Sequence, residues 1–425
     1  MTPIAVVIFA ILALTGLPIA IGSGIAAVIA IASSGRFPLV LMIQRMIFSI
    51  DNFVLLAIPL FILCGRLMNV AGITDRIFEL AQKLIGHIIG GLAHANVVAS
   101  MIFAGMSGAA VADAGGLGQV EIKAMKDQGY ELDFAVSVTA ASATIGPIIP
   151  PSVPMILYAF IAEESIGRLF LGGFIPGILI GIMLMALIYF ISRKRNYSRS
   201  KRGSISEIWL AFKRALLPLL TPVIILGGIA SGVFTVTEAA AVAALYTFIL
   251  GGLIYREIRL RDIPGILIET MKTTAVMMFI LSTIATISWI MVYEKVTDQF
   301  AIFIVSLTKN PWIILGMINI FLLLLGTVLE GAPIMILTIP LFAPLLQSVG
   351  VDLVHFGVVM VLNIAIGTIT PPIGMLLFIV TQVSGLPLER LMKTILPFVI
   401  PLLVVLGLIT YVPELVMFLP NLIMP

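Results

Sequence analysis

Long apolar runs separated by short polar segments dominate the chain. A membrane-spanning helix needs about 20 apolar residues. On that measure the pattern predicts crossings at 4–32, 52–72, 133–163, 168–192, 214–231, 236–255, 269–292, 352–384 and 391–412. Two further runs, 88–127 and 311–349, are kinked by small residues at Gly105-Met106-Ser107-Gly108 and at Glu330-Gly331-Ala332-Pro333, with no charged loop at either kink. They read as helical hairpins that enter and leave on one side; two ordinary spans with a tight turn are the alternative. Segments 74–86 and 296–308 mix apolar and charged residues at helical spacing. They read as amphipathic connectors at the membrane interface, or as solvated ones.

One motif interrupts this pattern twice. Residues 145–151 read Ile-Gly-Pro-Ile-Ile-Pro-Pro and residues 366–372 read Ile-Gly-Thr-Ile-Thr-Pro-Pro, an offset of 221. Glycine and a proline pair cannot continue a helix, so the crossings at 133–163 and 352–384 are predicted to be broken at Pro150, Pro151, Pro371 and Pro372. At the same offset Gly105 matches Gly326, Gly129 matches Gly350, Leu132 matches Leu353, Val138 matches Val359 and Pro176 matches Pro397. In a bilayer, non-helical backbone survives only against protein or a wet cavity. Paired breaks in two halves of a chain are a pointer to a transport site.

Composition agrees with the membrane reading. The chain is 60% hydrophobic and 11% charged, and its mean hydropathy is +1.20. Soluble domains are far more charged. The net charge of +3 comes from loop clusters and gives no nucleic-acid surface. Cys64 is the one cysteine, so an intrachain disulfide is excluded. The start of the chain lacks a basic n-region, and 4–32 is expected to be a retained first span. Arg193, Lys194, Arg195, Arg199, Lys201 and Arg202 mark a cytoplasmic loop, as do Arg256, Arg259 and Arg261. Counting crossings from these loops puts the N-terminus in the cytoplasm and the C-terminus outside. It also opens the two hairpins to opposite sides, so the repeat is inverted, with 214–231 as the crossing that flips the second copy.

The candidate chemistry lies at the kinks and breaks. Free N–H groups at half-helix N-termini favour an anion, and unwound carbonyls favour a small cation. Ser107 and Gly108 mark the first tip; Glu330, Gly331 and Ala332 mark the second. Thr144, Gly146 and Ser152 lie at the first break, and Gly367, Thr368 and Thr370 at the second, with Ser142 and Asn363 one turn before them. The bland reading of each hydroxyl is a bond back to its own helix. Of the acids, Asp113, Glu330 and Glu238 are candidates because they fall in apolar segments. Asp113 and Glu330 could instead cap helices, and Glu238 is read as the cap of the helix after Thr235. His87, His94 and His355 show no metal-ligand spacing. Walker A and Gly-x-Ser-x-Gly motifs are absent, which argues against an enzyme. No Arg lies mid-way along the site segments.

Four stretches in order carry a family resemblance: Phe103-Ala-Gly-Met-Ser-Gly-Ala-Ala-Val-Ala-Asp113, Gly146-Pro-Ile-Ile-Pro-Pro-Ser152, Thr235-Val-Thr-Glu-Ala-Ala-Ala-Val242 and Gly367-Thr-Ile-Thr-Pro-Pro372. They resemble the large membrane subunit of tripartite ATP-independent periplasmic (TRAP) transporters. The resemblance implies an all-α polytopic protein of the ion-transporter superfamily, with an inverted repeat of two re-entrant hairpins and two broken helices. It implies Na+-coupled import of an organic anion, such as sialic acid or a C4-dicarboxylate, across the bacterial inner membrane by an elevator mechanism. The implied partners are a periplasmic substrate-binding protein and a small four-helix membrane subunit, expected on a separate polypeptide. By resemblance one Na+ site maps onto Ser107, Gly108, Thr144 and Gly146, and another onto Gly326, Glu330, Gly331, Gly367, Thr368 and Thr370. Substrate would lie between them, with Ser107, Ser152, Asp113 and Asn363 as candidate contacts.

This plan divides the chain into scaffold helices 1–72, transport elements 73–163, scaffold 164–292 with a cytoplasmic loop at 193–213, transport elements 293–384 and a C-terminal scaffold helix 385–425. A standalone Na+/carboxylate symporter of the same superfamily is the first alternative, and a non-transporting membrane anchor the remote one. Replacing Pro371 and Pro372 by Ala should let the second broken helix heal. Transport should collapse while membrane insertion survives; near-normal uptake with unchanged Na+ dependence would refute the break.

Overall fold

Proline pairs and left-handed glycines decide where the helices of this chain stop. The computed structural model describes residues 1–197, 199–200 and 202–424; Lys201 of the basic loop lies outside them. The first broken helix is Leu132–Ala143 followed by Val153–Ala162. The second is Leu353–Gly367 followed by Met375–Ser384. The proline pairs fill both gaps, each with one cis bond, at Pro150-Pro151 and Pro371-Pro372. The first hairpin rises through Gly91–Ser107, turns at Gly108 (φ 65°) and extended Ala109, and returns from Ala110 to Asp127. The second rises through Pro311–Gly326 and returns through Gly331–Ser348. Among the described residues seven helices are long and apolar enough to cross a membrane, and there is no strand.

Polar contacts at the helix ends sort the molecule into two ends. Asp133, where the first broken helix begins, pairs with Arg390 at 3.2 Å and lies 3.9 Å from Arg195. Its far end meets the start of the second, where the Tyr158 hydroxyl donates to the Leu353 carbonyl at 2.7 Å. The broken helices are therefore antiparallel. The first hairpin opens toward the end that carries Arg195, and the second toward the opposite end. That is the inverted repeat expected from the sequence.

The N-terminal segment departs from expectation. Instead of one crossing over 4–32, two helices, Thr2–Leu14 and Ile19–Ser34, fold back on each other around Gly16 (φ 82°) and Pro18. An added Cβ on Gly22 would touch Leu12, and the Ser23 hydroxyl donates to Thr283 at 2.8 Å. The Met1 ammonium and the Thr2 amide both donate to Glu294 at 2.7 Å, at the end of the helix Ile263–Tyr293. Burial alone would push the Glu294 carboxyl up, but these bonds hold it down at about 2. That helix starts just after Arg261, so Met1 lies at the end opposite the arginines. The count that placed the N-terminus with them rested on a crossing that is a hairpin. Two short helices, Val40–Ile50 and Glu414–Ile423, were not anticipated.

Two helices assigned to the scaffold by the sequence plan lie against the breaks. Ile166–Lys194 and Leu388–Tyr411 pack on the broken helices and on each other. Phe53–Val70 packs on both Val236–Ile254 and Ile263–Tyr293, and the last of these also packs on the second hairpin. Amphipathic helices Ile73–Ile85 and Val296–Leu307 connect these helices to the two hairpins.

Small residues allow Ile166–Lys194 to approach the first break closely, as they do generally between helices in membranes. A Cβ on Gly173 would collide with the Ile148 carbonyl, and one on Gly177 with the Ile149 side chain. Nothing lies within 4 Å of the equivalent point on Gly227. Gly173→Ala should therefore destabilise the protein by about 1–3 kcal/mol, the usual cost of overpacking against rigid neighbours. Gly227→Ala should not. Melting of both variants in detergent checks this, and equal melting would refute the close packing.

Candidate functional site

Each hairpin tip is sewn to one break. At the first junction the Val153 N–H donates to the Gly108 carbonyl at 3.2 Å. A Cβ on Gly108 would strike the Pro151 carbonyl, and one on Gly146 would stand 3.2 Å from the Ala109 carbonyl carbon. At the second junction the Gly374 N–H donates to the Thr327 carbonyl at 3.3 Å. There Gly326 and Gly367 touch backbone to backbone: a Cβ on Gly367 would sit 2.6 Å from the Gly326 Cα. The two donors, Val153 and Gly374, stand at the repeat offset.

The halves are then crossed. Val153–Ala162 packs on the second hairpin, and Met375–Ser384 packs on the first. A cavity of about 150 Å3 lies between the junctions. Ala110, Val153, Gly331 and Met375, each the first residue of a helical segment, all line it. Four positive dipole ends thus converge on one apolar space, the arrangement that favours an anion. Glu330 and Thr368 are among its few polar wall residues, and Met277 closes it from the helix Ile263–Tyr293. The helix C-termini at Ser107 and Ala143, and at Gly326 and Gly367, face the junctions instead. Carbonyl-rich ends of this kind suit a cation.

A second cavity of about 570 Å3 separates the descending arm of the first hairpin from the helix Phe53–Val70. It runs from Ser107 at the tip to Thr74 and Asp75, with Arg66, Asn69 and Gln119 on its walls. Arg66 answers the lack of an Arg in the site segments: it comes from the opposing helix. It donates to the Thr273 hydroxyl at 2.9 Å. A lone Arg within the predicted span 52–72 was the available signal.

The expected site residues fare unevenly. Glu330, Gly331 and Thr368 line the smaller cavity, and Ser107 lines the larger. Gly108, Thr144, Gly146, Gly326, Gly367 and Thr370 build the junctions. The hydroxyls of Thr144, Thr368 and Thr370 donate to Ala141, Ala365 and Ile366 of their own helices, so the bland reading holds for these three. Ser107 differs: its hydroxyl is buried and makes no hydrogen bond. Ser152 is fully buried, caps Val153–Ala162 by accepting from the Met155 N–H, and donates to the Pro147 carbonyl. Asn363 donates to Asn319 at 3.0 Å while its own carbonyl oxygen stays unpartnered. Ser142 donates to Asn96 at 2.7 Å, the matching link of the first repeat.

The acids separate as well. Glu238 forms the capping box with Thr235 that the sequence predicts. Glu330 stands at the N-cap position of Gly331–Ser348 without capping it, and faces the cavity. Asp113 is fully buried in a wide π-turn, Asp113–Leu117, with no hydrogen bond. It is neither a cap nor part of either cavity wall.

Residues 6–415 match a family model described as the tripartite ATP-independent periplasmic transporter, DctM component. The chain is 48% identical to the sialic acid TRAP transporter large permease protein SiaM of Vibrio cholerae, over 89% of each chain. It is 40% identical to the C4-dicarboxylate TRAP transporter large permease protein DctM of Pseudomonas aeruginosa, over 87% of each. Among solved structures it resembles the Alcanivorax borkumensis YdaH transporter, with a TM-score of 0.64 at 14% identity over 96% of this chain and 98% of that one. That likeness concerns the fold alone.

The Gly326–Gly367 contact leaves no room for a methyl group on either backbone. Gly367→Ala should part the second tip from its break, lowering the melting temperature and abolishing function. Gly407→Ala, with nothing within 4 Å, is the control and should leave both unchanged. A Gly367→Ala protein that behaves like this control would refute the junction.

Proposed function

The chain belongs to the DctM component family of tripartite ATP-independent periplasmic transporters, and from that premise we propose that it imports a carboxylate-bearing organic anion across the bacterial inner membrane, driven by Na+. The observation that carries this reading is the convergence of four helix N-termini on one largely apolar cavity, flanked by two carbonyl-rich junctions. The dipole ends take the anion; the junctions take Na+ and balance its charge. Relatives named for sialic acid and for C4-dicarboxylates share the acid group, and the more similar of those two makes sialic acid the first candidate.

The hairpins and broken helices, together with Ile166–Lys194 and Leu388–Tyr411, would travel as one elevator body against the remaining helices. The larger cavity would be the exit path toward the cytoplasm. The positive-inside rule places the arginine-bearing end there, which puts Met1 and the C-terminal helix on the periplasmic face. A periplasmic binding protein would deliver the substrate at that face. The small membrane subunit would cover apolar surface of the scaffold.

Uptake in proteoliposomes with the small subunit tests the reading, using sialic acid and succinate. Uptake that needs both a binding protein and an inward Na+ gradient supports it. Uptake with Na+ alone would make the chain a standalone symporter, and uptake indifferent to Na+ would overturn the coupling. Within this assay Ser107→Ala should raise the half-saturating Na+ concentration about tenfold, as expected if one ligand worth about 1.4 kcal/mol is lost. Thr144→Val should leave it unchanged, because that hydroxyl is already spent on Ala141.

A further inference from the structure

Two unlike cavities meet at the tip of the first hairpin, where Ala109 and Val111 line both. The smaller, about 150 Å3, has no basic side chain on its described wall. The larger, about 570 Å3, falls within the roughly 300–1,000 Å3 usual for a small-molecule pocket. Its charged wall residues are Arg66 and Asp75. Asp75 also borders a separate pocket that holds Arg76, Lys213 and Arg214. Arg66 lies beside the tip. A Cβ on its neighbour Gly65 would stand 3.5 Å from the Ser107 Cα, and one turn on, a Cβ on Gly116 would strike the Asn69 amide. The helix Phe53–Val70 thus touches the hairpin at two points and leaves the cavity open around Arg66.

The Arg66 guanidinium has donors to spare. Of its five N–H groups one goes to the Thr273 hydroxyl, at 2.9 Å. Glu269 stands 3.9 Å away, too far for a hydrogen bond, and accepts from Lys272 at 3.2 Å instead. The planar fork that matches a carboxylate is therefore unfilled. Across the cavity Gln119 is exposed on the descending arm. Two more wall residues carry buried atoms without a partner, the Ser107 hydroxyl and the Asn69 Oδ1. An arginine within an apolar span that faces a cavity marks a path for a charged solute.

We propose that Arg66 and Gln119 form a release station for the substrate anion in the larger cavity, apart from the dipole ends of the smaller one. The inference rests on the proposed import of an organic anion. The occupant is a carboxylate that also carries hydroxyl groups. The guanidinium fork takes the carboxylate, Gln119 adds a donor, and a hydroxyl donates to the Asn69 Oδ1. Ser107 stands between the two places, at the tip. A guanidinium stays charged at any working pH, so the station needs no Na+. One wall belongs to the helix Phe53–Val70 and the other to the hairpin, so the station exists only while the two lie together.

Calorimetric titration of sialic acid into the full-length protein, held with its small subunit in lipid nanodiscs, tests the station. One series contains Na+, and in the other choline replaces it. Wild type should bind in choline. Arg66→Gln should weaken that binding about tenfold, the worth of one charge-assisted hydrogen bond, and so widen the gap between the two salts. Arg66→Lys should recover part of the loss, because an ammonium keeps the charge without the fork. Succinate, which has no hydroxyl, should bind in choline more weakly than sialic acid; equal binding would overturn the part given to Asn69. Binding in Na+ with none in choline would overturn the station and leave the import reading intact. An equal loss in both salts for Arg66→Gln would make Arg66 a structural tie to Thr273 and overturn the station too. If Arg66→Gln does not fold, Gln119→Glu sets a negative charge against the station from an exposed position. It must weaken binding in choline, and unchanged binding would refute the site. A wild type that binds neither acid in either salt would refute the import reading itself.

Discussion

The structure depends on one constraint: backbone polar groups freed inside a bilayer must find partners within the protein. Each broken helix releases several at once. The solution is to bring a hairpin tip to each break, so that an amide freed by one meets a carbonyl freed by the other. Val153 to Gly108 and Gly374 to Thr327 are the two bonds that close this exchange. They require close backbone approach, and so the positions around them are glycines. Gly108, Gly146, Gly326 and Gly367 are conditions of the fold before they are features of a site.

Crossing the two repeats follows from the same constraint. Neither hairpin covers its own broken helix completely, and the second half of each break packs on the other hairpin. The small cavity between the junctions is therefore a seam between the repeats. Helix N-termini from both repeats point at it, while helix C-termini turn toward the junctions. Opposite partial charges are sorted to neighbouring places without a single buried Arg. Among the described residues Arg66, from the helix Phe53–Val70, is the arginine that lines the larger cavity.

Polar bookkeeping divides the hydroxyls and acids into spent and available. Thr144, Ser152, Thr368 and Thr370 satisfy backbone groups near their own breaks. Ser107, Asn363, Asp113 and Glu121 retain buried atoms with no partner. An unpaired polar atom in a dry interior costs more than a hydrogen bond returns, so such atoms mark places where something binds.

Local chain chemistry determined the helices, the breaks and the inverted repeat. Apolar run length, proline pairs and glycine are properties of neighbouring residues, and so are visible in sequence. The capping role of Glu238 was legible for the same reason, since Thr235 lies three residues away. Tertiary structure alone decided what those residues meet. Gly16 and Pro18 could have kinked one span; packing against Ile263–Tyr293 made them a hairpin and moved Met1 to the other end. Thr144 and Ser107 looked alike as hydroxyls at interruptions, and only the fold showed one spent and the other free. Asp113 was legible as a buried acid, but the π-turn that holds it is announced by no spacing rule. Contacts between distant segments are set by how surfaces fit, and a linear pattern does not carry that information.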